Sequence, residues 1–66
     1  MRESELLREK DVALRYGFTL AWLRRARREG RGPRFIRVGR MVFYRCCDIE
    51  VFLLAHVVEP NFGQHE

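Results

Sequence analysis

Two short helical periods meet across only Gly17 and Phe18, and this near-absence of a connection limits the fold more than any other feature of the chain. Upstream, the segment from Leu6 to Tyr16 carries Leu6, Leu7, Val12, Ala13 and Tyr16, the last three spaced along one face of a helix that Gly17 ends. Glu9 and Asp11 fall in its first turn, where the helix dipole favours acids, and Arg8 stands at the N-cap position. Downstream, Thr19 is the expected N-cap of a second helix, Leu20 to Arg28 or Glu29. Gly30 serves as its C′ residue before the Arg31-Gly32-Pro33 break. So short a link containing glycine is the pattern of a helix-turn-helix.

After Pro33 the period shortens. Ile36, Val38, Val42 and Tyr44 are expected on one face of two extended runs joined at Gly39-Arg40, a Gly-X pair suited to a type II′ hairpin. The other face is expected to present Arg37, Met41, Phe43 and Arg45, with Arg40 at the tip. Asp48 and Glu50 then open a third helix, apolar nearly all round through Val58 and ended by Glu59-Pro60. The expected fold is mainly α with a small β-hairpin, a winged helix-turn-helix in the order α-α-β-β-α. It forms a single domain over residues 6–59, flanked by a flexible stretch 1–5 and a tail 60–66.

The 66 residues leave room for one modest core and little for an enclosed pocket, so function is expected on the outer surface. Catalysis is not expected: Cys47 and His56 lie two and a half turns apart on the same expected helix. No cofactor or metal is expected either, because the adjacent Cys46 and Cys47 lack the spacing of a zinc knuckle. The same adjacency rules out an ordinary disulfide between them and fits a reducing cytoplasm. Val51 to Val58 is far shorter than the roughly 20 apolar residues that span a bilayer, and Met1 to Glu5 has no signal-peptide character.

The net charge of +4 conceals a strong asymmetry. Arg24 to Arg45 holds nine arginines against one acid, Glu29, for a local charge of +8, and the rest of the chain carries −4. All but one of the thirteen basic residues are arginine, whose planar fork matches phosphate oxygens and guanine edges. On the second helix, Trp22, Leu23 and Ala26 share the apolar side and Trp22 is expected in the core, while Ala21, Arg24, Arg25 and Arg28 share the opposite side. Such a helix fits the major groove of duplex DNA, with Arg24, Arg25 and Arg28 as readers and the Ala21 methyl able to touch a thymine methyl. Thr19 lies near a phosphate through the helix N-terminus. Arg40 is expected in a minor groove or on its phosphates, supported by Arg37, and Arg34 completes the set of DNA-contact candidates.

At these residues the chain resembles a known family. Leu6-Leu7, Asp11-Val12-Ala13 and Tyr16-Gly17, then Leu23-Arg24-Arg25 and Arg28-Glu29-Gly30-Arg31-Gly32-Pro33, then Phe35-Ile36-Arg37-Val38-Gly39-Arg40, Tyr44-Arg45 and Asp48-Ile49-Glu50 resemble the MerR-like winged-helix domains of phage excisionases. The likeness spans about residues 6 to 56. It implies a non-enzymatic recombination directionality factor in the bacterial host cytoplasm, on the nucleoid. Such a factor binds and bends attachment-site DNA cooperatively and directs integrase toward prophage excision. A small winged-helix transcription regulator is the alternative, and a protein adaptor acting through the third helix is a further one. The chain departs from its relatives at Leu20 and Ala21, where they tend to be polar or basic, at Ala26, where they often have an aromatic, and at Phe43, where a basic residue is common. Phe43, Leu54, Val57, Val58 and Phe62 are the candidate contacts with integrase or with a second copy of the chain.

Overall fold

The first helix starts later than the apolar pattern of Leu6 to Tyr16 implies, because its opening residues pair with a strand. In the computed structural model, which describes residues 5–60, the order is β1 (Leu6–Arg8), α1 (Glu9–Tyr16), α2 (Leu20–Glu29), β2 (Ile36–Val38), β3 (Met41–Arg45) and α3 (Cys46–Ala55). Three helices thus accompany a three-stranded antiparallel sheet in the order β1-β3-β2. The expected α-α-β-β-α order lacked β1. Its three residues pair with Phe43, Tyr44 and Arg45, about 37 positions along the chain, and nothing in its local sequence announces that partner. Pairing reaches one residue further still: the Cys46 N–H donates to the Glu5 carbonyl at 3.1 Å.

The turn between α1 and α2 forms where local chemistry demands it. Gly17 takes the left-handed conformation at φ +81°, and its N–H donates to the Ala13 carbonyl. Thr19 caps α2 by accepting from the Trp22 N–H at 3.0 Å. At the other end of α2, the Gly30 N–H reaches the Arg27 carbonyl and the Arg31 N–H the Ala26 carbonyl, the paired bonds of a Schellman ending. The chain then folds back so closely that a Cβ on Gly32 would lie 3.0 Å from the Ala26 Cβ. This return explains the small residue at position 26, where no aromatic could fit. Trp22, expected in the core, is half-buried and packed against it, stacked on Phe18 at 5.0 Å with Phe52 at 6.0 Å.

The hairpin turns at Gly39-Arg40 as expected, with Gly39 at φ +62° and Arg40 not at positive φ, which fits a type II′ turn. Its faces need correction. A two-residue turn pairs Val38 with Met41, so those side chains share a face, and Val42 pairs with Arg37 on the other. Leu7, Val42 and Tyr44 therefore point to the helices, joined by Arg37 at the exposed end. Ile36, Val38, Met41 and Phe43 lie on the outer face, where the first three are exposed and Arg8 sits over the Phe43 ring at 5.2 Å.

Leu7, Val12, Leu23, Val42, Tyr44, Cys46 and Ile49 form the core. α3 begins at Cys46, earlier than Asp48, and ends at Ala55, earlier than Glu59-Pro60. The His56 ring Nδ1–H donates to the Phe52 carbonyl at 2.8 Å and its backbone N–H turns to Leu53, closing the last turn. Val57 and Val58 therefore lie beyond the helix and are exposed, since no core surface remains there to stabilise two β-branched residues in helical form.

Candidate nucleic-acid interface

α2 divides sharply by side. Leu23 and Ala26 are sealed in the core, whereas Ala21, Arg24, Arg25 and Arg28 are exposed, as their spacing implies. The arginines do not form one uniform sheet of charge, however. Arg24 donates to Glu9 at 3.2 Å and Arg25 to Glu29 at 3.3 Å, while Arg28 has no ion-pair partner among the described residues. The Arg25–Glu29 pair, exposed on both sides, contributes about 0 to 1 kcal/mol, so a phosphate oxygen can replace Glu29 at small cost, whereas the Glu9 end of the Arg24 pair is only 15% exposed. Thr19 is exposed at the start of the same helix, its hydroxyl occupied by the capping bond.

Three of the nine clustered arginines are engaged elsewhere. Arg27 turns inward, its side chain only 17% exposed, and pairs with Glu9 while lying over the Phe35 ring at 5.7 Å. Arg31 pairs with Glu29 at 2.6 Å and covers the Trp22 ring at 5.7 Å. Arg45 holds the buried Asp48 carboxylate in two bonds, at 2.7 and 3.1 Å. Arg27 and Arg45 hold largely buried acids of the fold, whereas the Arg31 pair with Glu29 is about as exposed as the Arg25 pair with the same carboxylate.

Glu9 is the hinge of this arrangement. Burial pushes its carboxyl up, but the hydrogen bonds from Arg27 and Arg24 outweigh that effect and hold it below its ordinary value. Burial likewise works against the charge on Arg27, and Glu9 and Tyr44 reverse the effect and raise it. Burial also raises the Tyr44 phenol, which the neighbouring Arg27 only partly offsets. The start of α1, the middle of α2 and β3 are thereby joined by one partly buried charged cluster.

Between the start of α1, α2 and the hairpin tip runs a groove of about 550 Å³. Arg8 lines it from the end of β1, Lys10 from α1, Arg24 and Arg27 from α2, and Arg40 from the tip, against Glu9 and Asp11, an excess of three positive charges. The structure thus brings Arg24 and Arg40 to a single groove. Arg34 and Arg37 are exposed nearby in sequence but do not line it, and Arg34, Arg37 and Arg40 have no ion-pair partner among the described residues. Arg8, Glu9, Lys10 and Arg27 were absent from the expected site. Arg27 was legible in the helical spacing, which sets it off from the outward side; Arg8 and Lys10 had no local signal, since only the tertiary fold brings them to α2.

The candidate protein contacts fall on two separate elements. Phe43 is half-buried under Arg8 on the outer sheet face, while Leu54, Val57 and Val58, at 72%, 61% and 85% exposure, cluster around the end of α3. Phe62 lies outside the described residues. Among those residues no group of three or more His, Cys, Asp or Glu side chains is placed to hold a metal ion, and no helix is long and apolar enough to cross a membrane. Comparison with family models, curated proteins and solved structures gives no match in any of the three.

Proposed function

We propose that this chain is a winged helix-turn-helix protein that binds double-stranded DNA, with α1 and α2 as the helical pair and the β2–β3 hairpin as the wing. The observation that carries the reading is the groove: Arg24 and Arg27 from α2 and Arg40 from the hairpin tip line it, while Leu23 and Ala26 of α2 are closed into the core. A helix of about 10 to 12 Å fits the major groove of about 12 Å, and an arginine at a hairpin tip can reach the flanking minor groove. Arg24, Arg25 and Arg28 supply the base or phosphate contacts of α2, Ala21 an apolar one, and Thr19, Arg34, Arg37 and Arg40 the backbone contacts. No cofactor or catalytic step enters this reading.

Within it, the protein is an architectural excisionase that bends attachment-site DNA and directs integrase toward excision. Its small size supports a cooperative mode. A single module covers only about 600 to 1,000 Å² on DNA, so neighbouring copies on adjacent sites, or integrase itself, add the rest of the affinity. The exposed Leu54, Val57 and Val58 are the surface for that contact. Footprinting on attachment-site DNA with and without integrase tests it. Adjacent protected segments, hypersensitive bends between them and stimulated excision are expected. Repression of a promoter without any effect on excision would instead make the chain a small transcription regulator with the same DNA-binding head.

A further inference from the structure

The DNA reading assigns no contact to Arg8 or Lys10, yet both line the groove between α2 and the hairpin tip. Arg8 already lies over the Phe43 ring, and Lys10 is exposed with no ion-pair partner among the described residues. We propose that this groove seats a phosphodiester of the duplex backbone, with Lys10 as its principal contact and Arg8 beside it. The inference rests on the DNA reading and adds a third contact element, the start of α1, to the helix and wing.

The geometry follows from the shape of DNA. The major and minor grooves are separated by a sugar-phosphate strand, so a protein that places a helix in one and a hairpin tip in the next must straddle that strand. The space between α2 and the tip is where the strand has to pass. Here that space is an open groove of about 550 Å³ with an excess of three positive charges. Of its two acids, Glu9 is paired with Arg24 and Arg27, while Asp11 accepts from the Arg8 backbone N–H at 3.3 Å and keeps its charge, so the cations still outnumber the acids. A phosphate entering the groove meets Lys10 and Arg40, neither of which has an ion-pair partner among the described residues. Lys10 is the only lysine of the chain, a mobile point charge that can follow a strand whose position varies with the bend.

The test measures duplex affinity between roughly 50 and 200 mM salt for the parent chain, Lys10→Gln and Arg15→Gln, on cognate and random DNA. Arg15 is a charge-matched control, paired with Glu5 at 3.6 Å and outside the groove. Lys10→Gln is expected to flatten the slope of log K against log salt by about 0.9 on both DNAs, while Arg15→Gln leaves it unchanged. A Lys10→Gln slope equal to the parent's, with the parent steeply salt-dependent and the variant folded by circular dichroism, overturns the phosphate seat and leaves the DNA reading standing. A parent slope near zero removes that reading and the seat together. Titration with inorganic phosphate separates the other source of the same chemistry. Saturation of the Lys10 resonances below about 1 mM phosphate, with no change in the duplex slope, would make the groove a site for a small phosphorylated ligand and also overturn the proposal.

Discussion

Arg27 and Arg28 are neighbours of identical chemistry that do opposite work. Arg27 is held inside by Glu9, Phe35 and Tyr44, at the junction of α1, α2 and β3. Arg28, about 100° further round the helix, is exposed and has no ion-pair partner among the described residues. A dense run of arginines is therefore two populations. The inner one spends its charge on holding the fold together, and the outer one keeps its charge for a partner.

Replacing each member in turn should separate the two populations. Arg27→Ala leaves Glu9 partly buried with a single partner and removes the cover over Phe35, so a loss of about 3 kcal/mol is expected in urea unfolding. Arg28→Ala should stay within about 0.5 kcal/mol of the parent. Equal losses would dissolve the distinction. Glu9→Gln should cost about 2 kcal/mol near neutral pH by weakening both arginine bonds.

Acid gives the same cluster an independent handle. The folded Glu9 carboxyl titrates below its ordinary value of 4.5, so its stabilisation is complete above that value and is lost as the pH falls through the lower, folded one. Urea unfolding of the parent should therefore weaken below about pH 4.5, and Glu9→Gln should lack part of that decline. Parallel pH profiles would show that the Glu9 cluster does not carry the acid response.

Smaller effects sharpen the outer population. If Arg25 reads a base, Arg25→Gln should weaken a cognate site by at least about 1 kcal/mol more than random DNA, and equal losses would reduce it to a phosphate contact. On the apolar side, Leu54→Glu changes a residue 72% exposed, so stability should move by less than about 0.5 kcal/mol. Cooperativity between adjacent sites should fall while binding to one site is kept. Unchanged cooperativity would remove the end of α3 from the interface.

What could be read in the sequence followed the range of the interaction concerned. Thr19, Gly17, Gly30 and the Gly39-Arg40 turn act on residues within a few positions, and all four formed as their chemistry implies. β1 depends on Phe43 to Arg45, so the alternation of Leu6 to Arg8 looked like the opening of a helix. The hairpin faces were misread for another reason. Ile36 and Val38 were grouped with Val42 by apolar character, whereas the two-residue turn fixes the pairing geometrically and puts Val38 opposite Met41. Of the site, Arg24, Arg25 and Arg28 were legible from helical spacing alone. The pairs of Glu29 and Asp48 join residues within four positions, but the charge withdrawn by Glu9 from α2 and the arrival of Lys10 in the groove that Arg40 lines exist only once the chain has folded.

The salt dependence of duplex binding by the intact chain tests the outer population most directly. If Arg28, Arg34, Arg37 and Arg40 each neutralise a phosphate, log K should fall with log salt at a slope of about −3.6 or steeper, a loss of at least about a hundredfold between 50 and 200 mM. A change of less than about threefold over the same range would contradict the claim that these arginines keep their charge for DNA.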